Sequence, residues 1–503
     1  MARRTTFVSV LLCLFIFAGC GESDDESFGA PPARIESPDP RCIADEQGRV
    51  LILHGVNVIN AAKSDPQGTG GVVEADIAEI SGRFGFNSAR HLIFWAAIEP
   101  EPGVFDSAYL DRVEQRLDWY AKYGIRVVLD MHQDVWSPVF SSAFSIDGAP
   151  AWATITDGHK FKPRPPGEPW WIANIDTAVQ IATMNFFRPE RHHPELQGEY
   201  VKAWQFVVRR FKDHPAVIGY DVMNEPSFNS LGTFSDALVF AQQAQQTGDW
   251  RNPVLTTFMQ KVIDGIRAID PNGYVFVEPI SVVNALSYPG DLGELNDPRQ
   301  GPPRLLYAPH LYDQTADNNG VYDPKDSYVA NWEQLRAADR QKLGTGMWIG
   351  EFGDGQITNV DRYFSDILSV ADRQMIGWAQ WSYDRGGWGV LDSDGNETPH
   401  ANRVVRPYPR AVAGVPQSFG YAPETKVFTL AWAPNPTARG VTEISVPARR
   451  HYPNGWALVV DGSEVNAGRS WDAAREVLSL DLPRHVGHRV CIAHNARDCP
   501  PGA

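Results

Sequence analysis

Asp221-Val222-Met223-Asn224-Glu225-Pro226 closes an apolar run that begins at Val217, and the way this run ends decides how the rest of the chain is read. Its apolar residues are near-continuous rather than alternating, which suits a strand covered on both faces, as in a parallel sheet. The charged and amide residues come only at its end. A second run of the same design is Trp348-Ile349-Gly350-Glu351-Phe352-Gly353. Working outward, comparable runs recur at residues 51–58, 86–95, 125–132, 217–226, 274–280, 305–312, 347–353 and 376–384, eight candidate strands in all. Helical patterns lie between them, for example at 74–84, 109–123, 196–211, 254–269, 328–343 and 360–373. Strand alternating with helix eight times predicts an α/β chain folded as a (β/α)8 TIM barrel, with its active site at the C-terminal ends of the strands. Arg90, His132, Asn224, Glu225, His310, Tyr312, Glu351 and Trp381 all fall near those ends, a phase that scattered core residues would not keep.

Two carboxylates far apart in sequence, each at a strand end, are what glycoside hydrolysis needs. One holds a proton for the departing oxygen, and the other is ionised to meet the anomeric carbon. Glu225 and Glu351 are the candidates. Read singly, each is an ordinary strand terminus; the pair together with the polar strand ends carries the reading.

With these residues in place, the chain resembles glycoside hydrolase family 5, and within it the endoglycoceramidase-like branch, over roughly residues 45 to 410. Asn224-Glu225-Pro226 is similar to the family's acid/base motif on the fourth strand, and Glu351 in Gly350-Glu351-Phe352-Gly353 to its nucleophile on the seventh. Arg90, His132, His310, Tyr312 and Trp381 fall where the family places site residues. The narrower likeness rests on Asp130-Met131-His132-Gln133-Asp134-Val135-Trp136-Ser137, which is similar to the segment that endoglycoceramidases carry after the third strand. The resemblance implies a retaining glycosidase with carboxyl groups about 5–5.5 Å apart. Glu225 is then the acid/base and Glu351 the nucleophile, with Arg90 favouring the anionic form of the latter. Asn224 suits the sugar 2-hydroxyl, His310 and Tyr312 orient the nucleophile, and Trp381 offers a flat face to a pyranose ring. His132 and Asp134 cap a loop or read sugar hydroxyls, and their place beyond a barrel strand favours the second. Lys63, beyond the first strand, and Trp171, in the connection after the third, are further candidates for substrate contact.

The implied substrate is a glycosphingolipid, cut at the β-bond between oligosaccharide and ceramide. Within the same family the alternatives are a β-glucanase or β-mannanase, or a galactosylceramide-type endoglycosidase. Outside enzymes the alternative is a carbohydrate- or lipid-binding lipoprotein on an inherited barrel, for which loss of either Glu would be the usual sign; both are present.

The chain of 503 residues, 43% hydrophobic, is long enough for a barrel of about 250 residues plus insertions and a second module. The catalytic barrel is expected at 45–410 and an antiparallel β-sandwich at 411–503. Runs at 426–432, 443–446 and 457–462 alternate with a period of two between Gly, Pro and Asn turns, and 411–418 reads as the junction. A long excursion at 142–191, with Trp152, Trp170 and Trp171, is expected to fold over the barrel mouth, and an aromatic insertion at 228–250 follows the acid/base. At the N-terminus, Arg3 and Arg4, the apolar run 7–17 and Ala18-Gly19-Cys20 read as a signal segment at 1–20 with lipidation at Cys20. The run is too short to span a bilayer. An acidic, Pro-rich linker at 21–44 follows as a flexible tether. The protein is therefore expected to be exported, either membrane-anchored through an N-terminal lipid or secreted, and monomeric.

Besides Cys13 and Cys20 the chain has Cys42, Cys491 and Cys499; the last two are spaced to close a short disulfide loop in an oxidising compartment. No zinc pattern and no phosphate loop occurs, so neither a metal nor a cofactor is expected. Asp392-Ser393-Asp394-Gly395 reads as a turn rather than a calcium loop. The formal net charge of −16 opposes nucleic-acid binding.

Overall fold

Apolar runs that stay apolar on both faces need cover on both, and the chain supplies it by closing its strands into a ring. The computed structural model describes residues 35–502, apart from 38, 142, 166–167, 169, 355–356, 387 and 466–468. The signal segment 1–20 with Cys20, and the tether as far as residue 34, lie outside the described residues. The barrel strands are β1 His54–Val58, β2 Ser88–Ile93, β3 Arg126–Met131, β4 Val217–Asp221, β5 Tyr274–Val277, β6 Leu305–Tyr307, β7 in two pieces, Gly346–Met347 and Ile349–Phe352, and β8 Trp378–Gln380. Neighbours pair in parallel in chain order, and β8 closes the ring onto β1 through Trp378↔His54, Ala379↔Gly55 and Gln380↔Val56. The break in β7 is Trp348, fully buried inside the ring with Leu53, Val128, Ile218, Phe276, Leu306 and Ala379. Its indole Nε1 donates to the Leu53 carbonyl at 3.2 Å, which satisfies the one polar atom that so large a ring brings into the interior.

Around the ring pack α1 Glu74–Gly82, α2 Ser107–Lys122, α3 Glu195–Phe211, α4 Pro253–Arg267, α5 Tyr328–Leu343 and α6 Val360–Gln374. Their ends follow local chemistry. Asp106 accepts from the Tyr109 amide at the start of α2, Asn252 precedes Pro253 and accepts from Leu255 at the start of α4, and α5 stops at Gly344 with φ 65°. The expected eightfold alternation of full helices is not met. The fifth connection holds only Ser281–Leu286 and the chain after β8 only Ala401–Val404. Pro289 and Gly290 follow the former and Pro407 and Pro409 the latter, so neither helix can be prolonged.

The excursion after β3 is ordered as short turns and the helix Thr177–Phe187. Its Trp152 does not wall the mouth as expected. It packs edge-on against Trp95, centroids 5.5 Å apart, and donates to the Glu99 carbonyl, fastening the excursion to the flank of the barrel. Residues 143–146 do reach the mouth, where Ser145 N donates to the Lys63 carbonyl. The insertion after β4 forms the helix Phe234–Thr247, whose Phe234, Leu238 and Val239 are exposed.

Two antiparallel five-stranded sheets form the sandwich. It begins at Tyr408 rather than 411, and its first sheet recruits Val50–Leu51 from ahead of the barrel by pairing with Tyr408–Val412. The stretch 411–418 is not a loose junction. Tyr408–Val412 ends in one sheet and Gly414–Ala422 starts in the other, and a Cβ on Gly414 would lie 2.0 Å from Trp432 Cδ1. Cys491 and Cys499 are disulfide-bonded and Cys42 is free. The tether expected to run to 44 ends sooner, because Glu36 pairs with Arg299 and Arg304, and Ile43 is buried beneath the ring. Asp392 caps a turn, accepting from the Asp394 and Asn396 amides. Among the described residues no helix is long and apolar enough to cross a membrane.

Candidate active site

Arg90 stands in β2 and is fully buried, so its position is fixed by what it can bond inside the ring. Its Nη1 donates to Glu351 Oε1 at 2.7 Å and to Asn57 Oδ1 at 3.1 Å, its Nε to Asp221 Oδ2 at 2.9 Å, and its Nη2 to Asn224 Oδ1 at 3.0 Å and Glu278 Oε1 at 2.9 Å. Asp130 Oδ1 is also 2.9 Å from Nη2. Four carboxylates around one guanidinium carry more negative charge than it can neutralise. Burial, with repulsion from Glu278 and Asp130, accordingly pushes the Asp221 carboxyl well above its ordinary value despite the attraction of Arg90. A carboxyl that takes up a proton there relieves the excess charge.

Glu351, on the second piece of β7, accepts a further bond on Oε2 from the Tyr312 hydroxyl at 2.9 Å. Burial and the neighbouring Glu351 keep the Tyr312 phenol protonated, so it can only donate to that oxygen. The glycine before Glu351 has a steric cause: a Cβ on Gly350 would come 2.9 Å from His310 Nε2. Glu225 lies beyond the end of β4 with φ 40°, in the left-handed region that an L-residue holds only when its backbone is tied. Glu278 accepts from its amide at 3.0 Å and Gln133 Nε2 donates to its carbonyl at 2.8 Å.

His310 stands between the two carboxylates. Its Nδ1 is 2.9 Å from Glu225 Oε1 and 3.6 Å from Glu351 Oε2. Those oxygens therefore cannot be further apart than the two legs end to end, which favours the ~5–5.5 Å spacing of retaining glycosidases over the ~6.5–9.5 Å of inverting ones. Burial opposes a charge on His310, but Glu278 and Glu351 outweigh it and raise the imidazole well above its ordinary value. Nδ1–H then donates to Glu225 Oε1, leaving the second oxygen of Glu225 for a substrate.

Beside this cluster, Asp130 holds His132 Nδ1 at 2.6 Å, and Lys63 Nζ pairs with Asp134 Oδ2 at 2.6 Å. Burial and Lys63 oppose a charge on His132, yet Asp130 and Asp134 prevail and lift it to about 9. Trp381 lies half-buried across the group, stacked on His132 at 5.5 Å and covering the Lys63 ammonium at 4.4 Å. His132, Asp134 and Asp147 offer atoms within 4.8 Å of one another, a set that could hold a metal ion, but Lys63 already places a cation on Asp134. The structure thus brings ten of the sequence candidates to one mouth: Lys63, Arg90, His132, Asp134, Asn224, Glu225, His310, Tyr312, Glu351 and Trp381. Trp171 stands apart on the turn Trp170–Ile175, 43% exposed, with no hydrogen bond or ring contact to this cluster among the described residues. Asn57, Asp130, Asp221, Gln133, Glu278 and Trp388 were not singled out. Glu278 had the same signature as the others, a charge closing the run 274–280, whereas Trp388, edge-on to Tyr312 at 6.1 Å, comes from a loop with no such signal.

A closed barrel carrying two carboxylates at strand ends of one mouth, one held by a buried arginine and a tyrosine, defines a glycoside hydrolase site. Residues 55–387 match the family model for cellulase (glycosyl hydrolase family 5), and residues 406–492 match its C-terminal domain. The chain belongs to glycoside hydrolase family 5. It is 28% identical to endoglycoceramidase I of Rhodococcus hoagii, across 87% of this chain and 85% of that one. Among solved structures it is similar to endo-glycoceramidase II from Rhodococcus sp. in complex with ganglioside GM3, with TM-score 0.81 and 33% identity, covering 91% of this chain and all of that one. The lactosyl-enzyme intermediate of the same enzyme matches with TM-score 0.79 and 35% identity over 91% of this chain and all of that one.

Proposed function

We infer that this enzyme is a retaining endoglycoceramidase, which cleaves the β-bond between the oligosaccharide and the ceramide of a glycosphingolipid. The observation that carries the reading is the single imidazole of His310 set between Glu225 and Glu351 in a chain similar over most of its length to an enzyme captured as a lactosyl intermediate. Glu351, held by Arg90 and Tyr312, attacks the anomeric carbon while Glu225 protonates the departing ceramide oxygen; the ceramide leaves as the alcohol. Glu225 then takes a proton from water, which displaces Glu351 from the sugar; this restores Glu225 as the acid and Glu351 as the carboxylate, with the configuration retained. Asn224, fixed through its carbonyl by Arg90 and through its amide by the Gln133 carbonyl at 2.9 Å, faces the sugar 2-hydroxyl. Lys63, His132, Asp134 and Trp381 form the next wall of the sugar cleft. The exposed Phe234, Leu238 and Val239 on the helix that follows Glu225 supply apolar surface for the lipid, where each buried methylene contributes about 0.8 kcal/mol.

The test compares a glycosphingolipid in detergent with soluble β-glucan and β-mannan, with products identified by mass spectrometry. Intact oligosaccharide and free ceramide are expected; efficient cutting within the polysaccharides, with the glycosphingolipid untouched, would replace this reading by that of a polysaccharidase. Export and lipidation at Cys20 belong to the same proposal. Labelled palmitate incorporated in cells is expected to disappear in Cys20→Ala.

A further inference from the structure

At the end of the barrel opposite the carboxylates, where the sandwich meets the strand starts, lies a cavity of about 290 Å³. Its charge runs against that of the molecule. The chain has a formal net charge of −16, yet the wall carries four arginines, Arg49, Arg126, Arg410 and Arg475, and two carboxylates, Asp45 and Glu443. Both carboxylates are engaged by one cation, since Arg49 Nε donates to Asp45 Oδ2 at 2.8 Å and its Nη1 to Glu443 Oε1 at 2.8 Å. Arg126 donates to the Pro215 carbonyl at 2.8 Å and reaches the exposed Glu46 at 3.4 Å.

Neither the Arg410 nor the Arg475 guanidinium pairs with a carboxylate among the described residues; the Arg475 amide donates to Asp472 Oδ1 at 3.0 Å. Arg410 is only 4% exposed, and its acceptors are neutral, the Gly85 carbonyl at 2.9 Å and the Tyr408 hydroxyl at 3.3 Å, both through Nη1. Its Nε and Nη2 are left without an acceptor among the described residues. Arg475 leans from the sandwich onto the barrel, so close that a Cβ on Gly124 would sit 3.3 Å from its Nη2. Arg475 is exposed, whereas Arg410 is almost wholly withdrawn from water without a counter-charge; the planar fork of each is matched to the oxygens of a phosphate or carboxylate. The volume is at the small end of ligand cavities, roughly 300 Å³ and upward, and admits a compact ion but no oligosaccharide or lipid.

We propose that this interdomain cavity binds a compact multivalent oxyanion of the phosphate class, gripped by Arg410 and Arg475 of the sandwich and Arg126 of the barrel. An ion held from both sides ties the sandwich to the barrel floor, so binding raises the stability of the two together. The source is either free phosphate or a small phosphate monoester. Titration of the whole enzyme with inorganic phosphate, and separately with glycerol phosphate, is followed by calorimetry and by Tm at constant ionic strength against chloride. A saturable heat and a saturable rise in Tm are expected with phosphate and not with chloride, and the tighter of the two phosphates names the source. Arg475→Gln is expected to weaken binding at least tenfold while hydrolysis of an aryl β-glycoside stays unchanged, because the cavity is remote from the carboxylates. Arg126→Gln supplies a second test should Arg475→Gln fold poorly. No saturation, an equal response to chloride, or undiminished binding in both Arg475→Gln and Arg126→Gln would overturn the proposal.

Discussion

Glu351 stands within the second piece of β7 with its side chain fixed from two sides, by the buried Arg90 and by Tyr312. Glu225 is reached through further residues beyond its strand and a left-handed backbone, and among the described residues only His310 bonds its side chain. The first side chain is 7% exposed and the second 20%. The difference suits the two tasks proposed for them. A nucleophile that forms a bond to carbon gains from a fixed line of approach, whereas a group that gives a proton in one step and takes one in the next needs access to both the leaving group and water. What is rigid in Glu225 is its backbone, tied by Glu278 and Gln133, and what is free is the far oxygen of its carboxylate.

The sharpest way to break this comparison is to remove each carboxylate. Glu351→Gln is expected to lower turnover on the order of 10⁴-fold for every substrate. Glu225→Gln should cost roughly 10²–10⁴-fold on a glycosphingolipid, whose alkoxide leaving group needs the proton, and far less on an aryl glycoside with an activated leaving group. Azide added to Glu351→Gly should give the glycosyl azide of inverted configuration, and azide added to Glu225→Ala the β-azide. Equal losses on both kinds of leaving group would remove the distinction between the two residues.

Next in size is Arg90. Arg90→Met leaves Asp130, Asp221, Glu278 and Glu351 without the guanidinium they share, and should cost about 3–5 kcal/mol in denaturant-unfolding free energy. His310→Gln, which meets only the carboxylate side of that cluster, should cost less stability and more activity. Tyr312→Phe removes one hydrogen bond to a charged group, worth about 1.5–3 kcal/mol. It should lower kcat/KM roughly ten- to a hundredfold on aryl and ceramide glycosides alike, without moving Tm appreciably.

The smallest effect is one of pH. His132 titrates at about 9 in the folded protein because Asp130 and Asp134 overcome burial and Lys63. The unfolded value is lower, about 6.5, so the stabilisation is complete below that pH and is lost as pH rises through about 9. Asp147, pushed by burial and by Asp134 to about 7, adds a fall of the same sign over the interval between its ordinary value and 7. Tm should therefore decline from mildly acid pH to pH 9. His132→Gln should flatten the upper part of that decline and Asp147→Asn the lower; a Tm that rises with pH in the parent enzyme would contradict both assignments.

The eight strands and six long helices were legible because a parallel barrel imposes a local rule: near-continuous apolar runs, with polar residues admitted only where the strand emerges at the mouth. The same rule made Arg90, Glu225, His310 and Glu351 visible, and it would have reached Glu278 had the close of the run 274–280 been weighed like the others. It failed where the cause is not local. Trp152 looked like a cleft residue because an aromatic in a long loop has two uses, and only the position of Trp95 decided for packing. Residues 35–44 looked like tether because acidic and Pro-rich composition marks solvation, yet Glu36 meets Arg299 and Arg304, more than two hundred and sixty residues away.

The sequence by itself determined the barrel, the family and the two carboxylates, since each rests on the order of residues along single strands. Only the tertiary structure decided which partners those carboxylates have. From β2, Arg90 draws together side chains of β1, β3, β4 and β7 and of the residues just beyond β4 and β5, and His310 spans the gap between Glu225 and Glu351. The arginines beneath the barrel belong to this second kind of knowledge, because a charge is paired or unpaired according to neighbours through space, and the Arg410 and Arg475 guanidinium groups form no ion pair among the described residues, since Arg49 engages the cavity's Asp45 and Glu443.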